Sequence, residues 1–144
     1  LFKFTKNILE DKEIDVYNNG NHSRDFTYVD DIVEGIYLSS ISKKELIDSN
    51  FDSKNPSRSF CKSIIFNLGR GKPENLEDFI DEIESNLGKR AKRNLMPLQP
   101  GDVPDTSADI SGLKDFSGYE PKTSIKIGVK NFIDWYKEYY KVNL

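Results

Sequence analysis

"SIIFNLGRGKPENLEDFIDEIESNLG", residues 63–88, changes periodicity across a single turn. The part ending at Gly69 is a short apolar run and reads as a buried strand. The later part reads as a helix, because Leu76, Phe79, Ile80, Ile83 and Leu87 form one apolar stripe. Asn75 or Glu74 starts that helix, and Gly88 suits a left-handed stop. Between the two, "GRGKP" has the look of a phosphate loop. A P-loop needs Lys followed by Ser or Thr, whereas here Pro73 follows Gly71-Lys72 and offers neither an amide nor a hydroxyl. The bland reading, a turn with Pro at a helix start, accounts for it. A strand handed to a helix in this way is the repeating unit of an α/β chain.

The same alternation extends in both directions. Upstream, Phe26 to Val29 favour an extended strand. A helix follows from about Asp31, with Asp30 or Asp31 as N-cap. Val33, Ile36, Tyr37 and Ser40 or Ile41 give it one apolar face. Residues 1–11 read as a helix with Phe4, Ile8 and Leu1 on one face, and "IDVYNNGN" as a short strand closing in an Asn-Gly turn. Residues 48–62 are polar, with Asn, Ser and Pro, and read as the chain's main loop. Downstream, "KRAKR" (89–93) reads as a solvated loop, followed by a short extended piece. A short helix capped by Asp109 comes next. The last helix is capped by Ser124, with Ile125, Val129, Phe132, Tyr136 and Tyr139 or Tyr140 on its face. The expected class is α/β, with strands too few and too short for a complete doubly wound sheet.

Composition narrows the function. The net charge is −3 with 31% charged residues, which argues against a general nucleic-acid or membrane-surface binder and makes any anion site local. No run approaches the ~20 apolar residues of a membrane span, and no signal peptide is visible. Cys61 is the single cysteine, which fits a reducing cytosol. His22 is the single histidine, and no spacing joins it to Cys61 and carboxylates as a metal site. The chain opens on Leu1 inside a helical pattern, which reads as part of a longer protein.

Two places offer binding chemistry. Tyr17 has a flat ring, Asn18, Asn19 and Gly20 make a bend, and Arg24 carries a planar fork suited to phosphate. Together they could hold a base and its phosphates. The alternative is a surface tyrosine and an exposed arginine. In "LQPGDVPDTSAD" (98–109), Pro100 and Gly101 turn the chain and present Asp102, whose carboxylate could accept from sugar hydroxyls or merely stabilise the turn.

"RDFTYVDDI", then "FNLG" and a helix, then "PGDVPDTSAD", then a late "GVKNFIDWY" resemble, in this order, the C-terminal part of the NAD-dependent nucleotide-sugar epimerases and dehydratases of the extended short-chain dehydrogenase family. The resemblance runs from Leu1 to about Tyr140. "LFKFTKNIL", "IDVYN" and "LQPGDV" are most similar to the UDP-glucuronate 4-epimerase subgroup. It implies a Rossmann-type fold of which this chain, 1–144, is the UDP-sugar-binding portion, in a cytoplasmic, homodimeric parent enzyme. Arg24 then inherits the contact to the UDP diphosphate, Tyr17 lies by the uracil with Asn18 beside it, and Asp102 reaches the ribose. Gln99 stands where many members carry a second phosphate-binding arginine. The family's G-x-x-G-x-x-G fingerprint for NAD is missing, and no tyrosine has Lys four positions on, so the catalytic Tyr-x-x-x-Lys is missing too. The implied reaction is 4-epimerisation of a UDP-sugar. The rivals are a 4,6-dehydratase or decarboxylase of the same family, or a stand-alone nucleotide-binding module. The resemblance also places the helix after Asp31 and the strand ending at Leu68 at the cofactor domain's sheet, so that their apolar faces would lack cover in this chain alone.

Overall fold

The computed structural model describes residues 1–42 and 63–142. Cys61 and the loop expected over 48–62 lie outside the described residues. The elements run α1 (Phe2–Leu9), β1 (Glu13–Val16), a 3-10 turn (Tyr17–Gly20), β2 (Ser23–Arg24), α2 (Val29–Ile41), β3 (Glu74–Asn75), α3 (Leu76–Leu87), β4 (Lys92–Leu95), α4 (Ser111–Ser117) and α5 (Ile125–Tyr140). No helix is long and apolar enough to cross a membrane, among the described residues.

The core forms where local pattern and tertiary partner agree. β1 alternates, with Ile14 and Val16 buried and Glu13 exposed, as a strand covered on one face must. β4 pairs parallel to it, Ile14 opposite Arg93 and Val16 opposite Leu95. α3 brings Phe79, Ile80, Ile83 and Leu87 onto Val129 and Ile133 of α5 and Ile8 of α1. Complete burial of such a side chain stabilises by about 1.5–3 kcal/mol. The caps of α3 are those expected: the Asn75 side chain accepts from the Glu77 amide at 2.8 Å, and Gly88 ends the helix at φ +65°. Ser124 caps α5, accepting from the Ile127 amide at 3.3 Å. Ile133, absent from the expected stripe, is fully buried, while Tyr139 stays 64% exposed.

Several expectations fail for tertiary reasons. Residues 26–28 form no strand. Phe26 instead stacks flat on Phe79 at 4.1 Å, a packing contact that sets this stretch's path. α2 begins at Val29, and neither Asp30 nor Asp31 is its N-cap. Asp31 is buried and accepts from the Lys122 and Thr123 amides at 3.2 and 3.0 Å, so its carboxylate ties α2 to the entrance of α5. The apolar face of α2 points outward, with Val33, Ile36 and Tyr37 exposed by 58–60%. Its inner side is Asp31 and Gly35. A Cβ on Gly35 would stand 2.8 Å from Leu68 Cδ1 and 3.0 Å from Tyr119 Cε2, which is why the backbone can lie so close there.

The expected buried strand 63–69 has only a single bridge at Ile64, and Ile65 is 72% exposed. A ladder needs a neighbour for its amides and carbonyls, and the described residues offer none. "KRAKR" is not wholly a loop, since Lys92 and Arg93 belong to β4. Arg93 pairs with Glu77, Asp81 and Glu84 along α3. Asp109 caps from one residue earlier than a helix N-cap, accepting from the Ser111 amide at 3.0 Å. "GRGKP" is a turn, with Gly71 at φ +70° and Arg70 paired to Glu74.

Candidate functional site

β2 lies between two extended neighbours, and this places Arg24. On one side Ser23 and Arg24 pair antiparallel with Asn75 and Glu74 of β3. On the other, the Ser23 amide donates to the Pro104 carbonyl at 3.0 Å and the Thr106 amide to the Ser23 carbonyl at 3.2 Å. The Ser23 hydroxyl donates to Asp105 Oδ1 at 2.6 Å. The 102–106 segment is thereby laid beside Arg24, and the Arg24 Nη2 donates to Asp102 Oδ1 at 3.0 Å. Its Nη1 donates to the Pro104 carbonyl at 2.7 Å.

Asp102 is aimed by its own turn. Its amide donates to the Gln99 carbonyl at 3.1 Å, Gly101 sits at φ +86°, and the Val103 amide donates to Asp102 Oδ1 at 2.9 Å. The Arg24 and Asp102 side chains keep 28% and 36% of their exposure. An ion pair this open is worth at most about 1 kcal/mol, so a more highly charged anion could compete for the guanidinium.

The structure therefore brings together two of the expected site residues that lie 78 positions apart. The others take different places. Tyr17 is half-buried at the head of the 3-10 turn, which the Asn19 amide ties to the Met96 carbonyl at 3.0 Å. The Asn18 amide group donates to the Asn21 carbonyl at 2.7 Å from a left-handed backbone at φ +51°, so it is used inside its own turn. Gln99 is exposed and bonds Asp102 through its carbonyl.

Two residues here were missed as site components. Asp25 turns away from Arg24, as alternate residues of an extended chain do. Its Oδ2 accepts from the Gly71 and Ala108 amides at 2.9 and 3.0 Å, and its Oδ1 from the Arg70 amide at 3.1 Å. It locks the 70–71 turn to the segment that carries Asp102. His22 is buried beneath the pair, its Nε2 3.7 Å from Asp102 Oδ2. The available signal was its place two residues before Arg24, on the same side of an extended stretch.

A family model described as GDP-mannose 4,6 dehydratase matches residues 1–132. The chain belongs to this family. It is 48% identical over 144 residues to Protein CapI of Staphylococcus aureus, covering 98% of this chain and 42% of that protein. It is 38% identical to UDP-glucuronate 4-epimerase 2 of Arabidopsis thaliana, covering 97% of this chain and 32% of that one. Among solved structures, the UDP-glucuronic acid 4-epimerase of Bacillus cereus, in complex with UDP-glucuronic acid and NAD, aligns with a TM-score of 0.76 at 29% identity. The alignment covers 95% of this chain and 39% of that one. The chain thus spans less than half the length of these relatives. Its α/β architecture, helices with a few short strands, is the Rossmann-type fold of this extended short-chain dehydrogenase family, as the motifs implied.

Proposed function

We propose that this chain is the UDP-sugar-binding portion of an NAD-dependent UDP-sugar 4-epimerase that interconverts UDP-glucuronate and UDP-galacturonate. The observation that carries the reading is the Arg24–Asp102 pair, joined at 3.0 Å and open to solvent. A planar guanidinium suits a diphosphate, and a carboxylate beside it accepts from the two ribose hydroxyls. Tyr17, with Asn18 next to it, would flank the base, and Gln99 would stand at the rim near the phosphates. The likeness to UDP-glucuronate 4-epimerases supports the epimerase reading over a dehydratase.

The described residues do not fit a dinucleotide site. β1 runs into a 3-10 turn, not into a helix whose amides could receive a pyrophosphate. β3 enters α3 directly, with Asn75 as its cap and no glycine turn. In this reading NAD and the catalytic Tyr-x-x-x-Lys belong to a part of the parent protein outside this chain. NAD would supply the removal and return of hydride at C4, and this chain would supply affinity and orientation.

The test is conversion of UDP-glucuronate by the full-length protein with NAD, followed by NMR of the product sugar. Formation of UDP-galacturonate is expected, and a 4-keto-6-deoxy or decarboxylated product would refute the epimerase reading. Residues 1–144 alone should show no turnover. In the full-length protein, Arg24→Ala should weaken UDP binding by about 1.5–3 kcal/mol, the worth of a charge-assisted hydrogen bond, with a smaller change in kcat. Unchanged UDP affinity by calorimetry, with the fold intact, would remove Arg24 from the site.

A further inference from the structure

His22 has one nitrogen placed and one left over. The ring is 5% exposed. Its Nδ1 lies 3.1 Å from the Pro104 carbonyl, and a carbonyl only accepts, so Nδ1 carries a proton. Nε2 is fully buried and has no hydrogen-bond partner. It faces Asp102 Oδ2 at 3.7 Å, just beyond bonding distance. The two oxygens of Asp102 thus differ. Oδ1 is held by Arg24 and by the Val103 amide. Oδ2 faces the buried imidazole and, among the described residues, nothing else that donates to it.

A buried polar atom without a partner carries a penalty of about 1–3 kcal/mol, and such a group calls for an explanation. With a lone pair on Nε2, two acceptors oppose one another. With a proton on Nε2, the ring donates to Oδ2 after a shift of a few tenths of an ångström. The charged groups around this corner are Asp102 and Asp105 of the loop, Arg24 of β2, Glu74 of β3 paired with Arg70, and Glu77 of α3 paired with Arg93. Asp102 Oδ2 is the group that faces Nε2, and a carboxylate oxygen only accepts, so a bond between them needs its proton on the ring.

We propose that His22 is the positioning residue of the nucleotide clamp. It anchors the 102–104 turn through Nδ1 and, through a proton on Nε2, holds Oδ2 of Asp102. The carboxylate's remaining lone pairs are thereby directed at a ribose, while Arg24 is left to the diphosphate. The inference rests on the UDP-sugar reading of this site and adds a residue that never touches the ligand.

Two amide variants separate its two nitrogens. His22→Gln puts an N–H donor near the Nε2 position, and His22→Asn puts one near Nδ1, where it can reach Pro104 but not Asp102. In the full-length protein, with UDP-glucuronate as probe, His22→Asn should raise KM and the calorimetric Kd about tenfold, a difference of about 1.4 kcal/mol. Its kcat should stay within about twofold, and its NAD affinity should not change. His22→Gln should recover most of the loss. In an Asp102→Asn background His22→Asn should add nothing, because its effect passes through that carboxylate. A purely structural role for the Pro104 anchor predicts the reverse ranking, Asn sound and Gln weak, and would overturn the proposal. Equal affinities in both variants, or full additivity with Asp102→Asn, would overturn it as well. Where His22→Asn melts early, His22→Gln decides alone: a natively melting Gln variant weakened tenfold refutes it. An unaltered protein that binds no UDP-sugar ends both this inference and the reading of the site. One that binds it and ignores His22→Asn ends this inference alone.

Discussion

α3 and α2 are both helices with an apolar stripe, and their stripes meet opposite fates. In α3 the stripe is the core, with Ile80 and Ile83 at 0% exposure. In α2 the stripe faces out, with Ile36 and Tyr37 at 60%, while Asp31 and Gly35 turn inward. The difference lies in the partner. α5 supplies Val129 and Ile133 to α3, whereas the described residues hold no surface that covers the apolar stripe of α2. An apolar stripe states that a helix has a face to bury. It does not state what buries it.

The sharpest test pairs one residue from each helix. In residues 1–144, Ile83→Ala should cost about 2–5 kcal/mol by urea melts, because it opens a cavity in a filled core. Ile36→Ala should change stability by no more than about 0.5 kcal/mol, as exposed positions do. Comparable losses would show that the α2 face is covered in solution and would break the contrast.

Gly35 tests the inner side of α2. Gly35→Ala should destabilise by about 1–3 kcal/mol, because its methyl would press on Leu68 and Tyr119. The usual advantage of alanine in a helix is smaller, at most about 1 kcal/mol. A stabilised variant would mean that α2 does not lie so close to Tyr119.

Titration sharpens the comparison with the smallest effect, through one group beside each helix. Burial pushes the Glu84 carboxyl up, but the Ala91 amide, Arg90 and Arg93 outweigh it and hold it below the ordinary glutamate range. A lowered folded value means its stabilisation is complete above the unfolded value and is lost as pH falls through the folded one. The α3 region should therefore weaken below about pH 4.5, the ordinary value. Tyr119, whose hydroxyl donates to the Gly69 carbonyl at 3.0 Å, is pushed up to about 12, first by burial and then by Asp31, Asp25 and Glu34. A raised folded value means the stabilisation is complete below the unfolded value of 10.0 and is lost as pH rises through about 12. Melting temperatures against pH should soften the alkaline limb in Tyr119→Phe and the acid limb in Glu84→Gln. An unchanged alkaline limb in Tyr119→Phe would assign that limb to other groups.

Helix α3 was legible residue by residue, because Asn75, the stripe and Gly88 act over one to four positions. The same holds for Ser124 and α5. The stretch 26–31 was misread because its controlling contacts are distant: Phe26 answers to Phe79, and Asp31 to residues 122 and 123. β-propensity and cap preference are weak beside a ring stack and two backbone bonds. At the site, the motifs named Arg24 and Asp102, but His22 and Asp25 had no local sign of their partners more than 40 residues away.

By itself, then, the sequence determined the chemistry available and the local order: an α/β alternation, the ends of α3 and α5, an arginine suited to phosphate and a carboxylate on a Pro-Gly turn. Those properties depend on side-chain type and near-neighbour geometry. Tertiary structure alone decided which carboxylate meets which donor: Asp102 with Arg24, Asp25 with three amides, Asp31 with the entrance of α5. Hydrogen bonds act within about 3 Å, so that pairing exists only once segments tens of residues apart have been packed together.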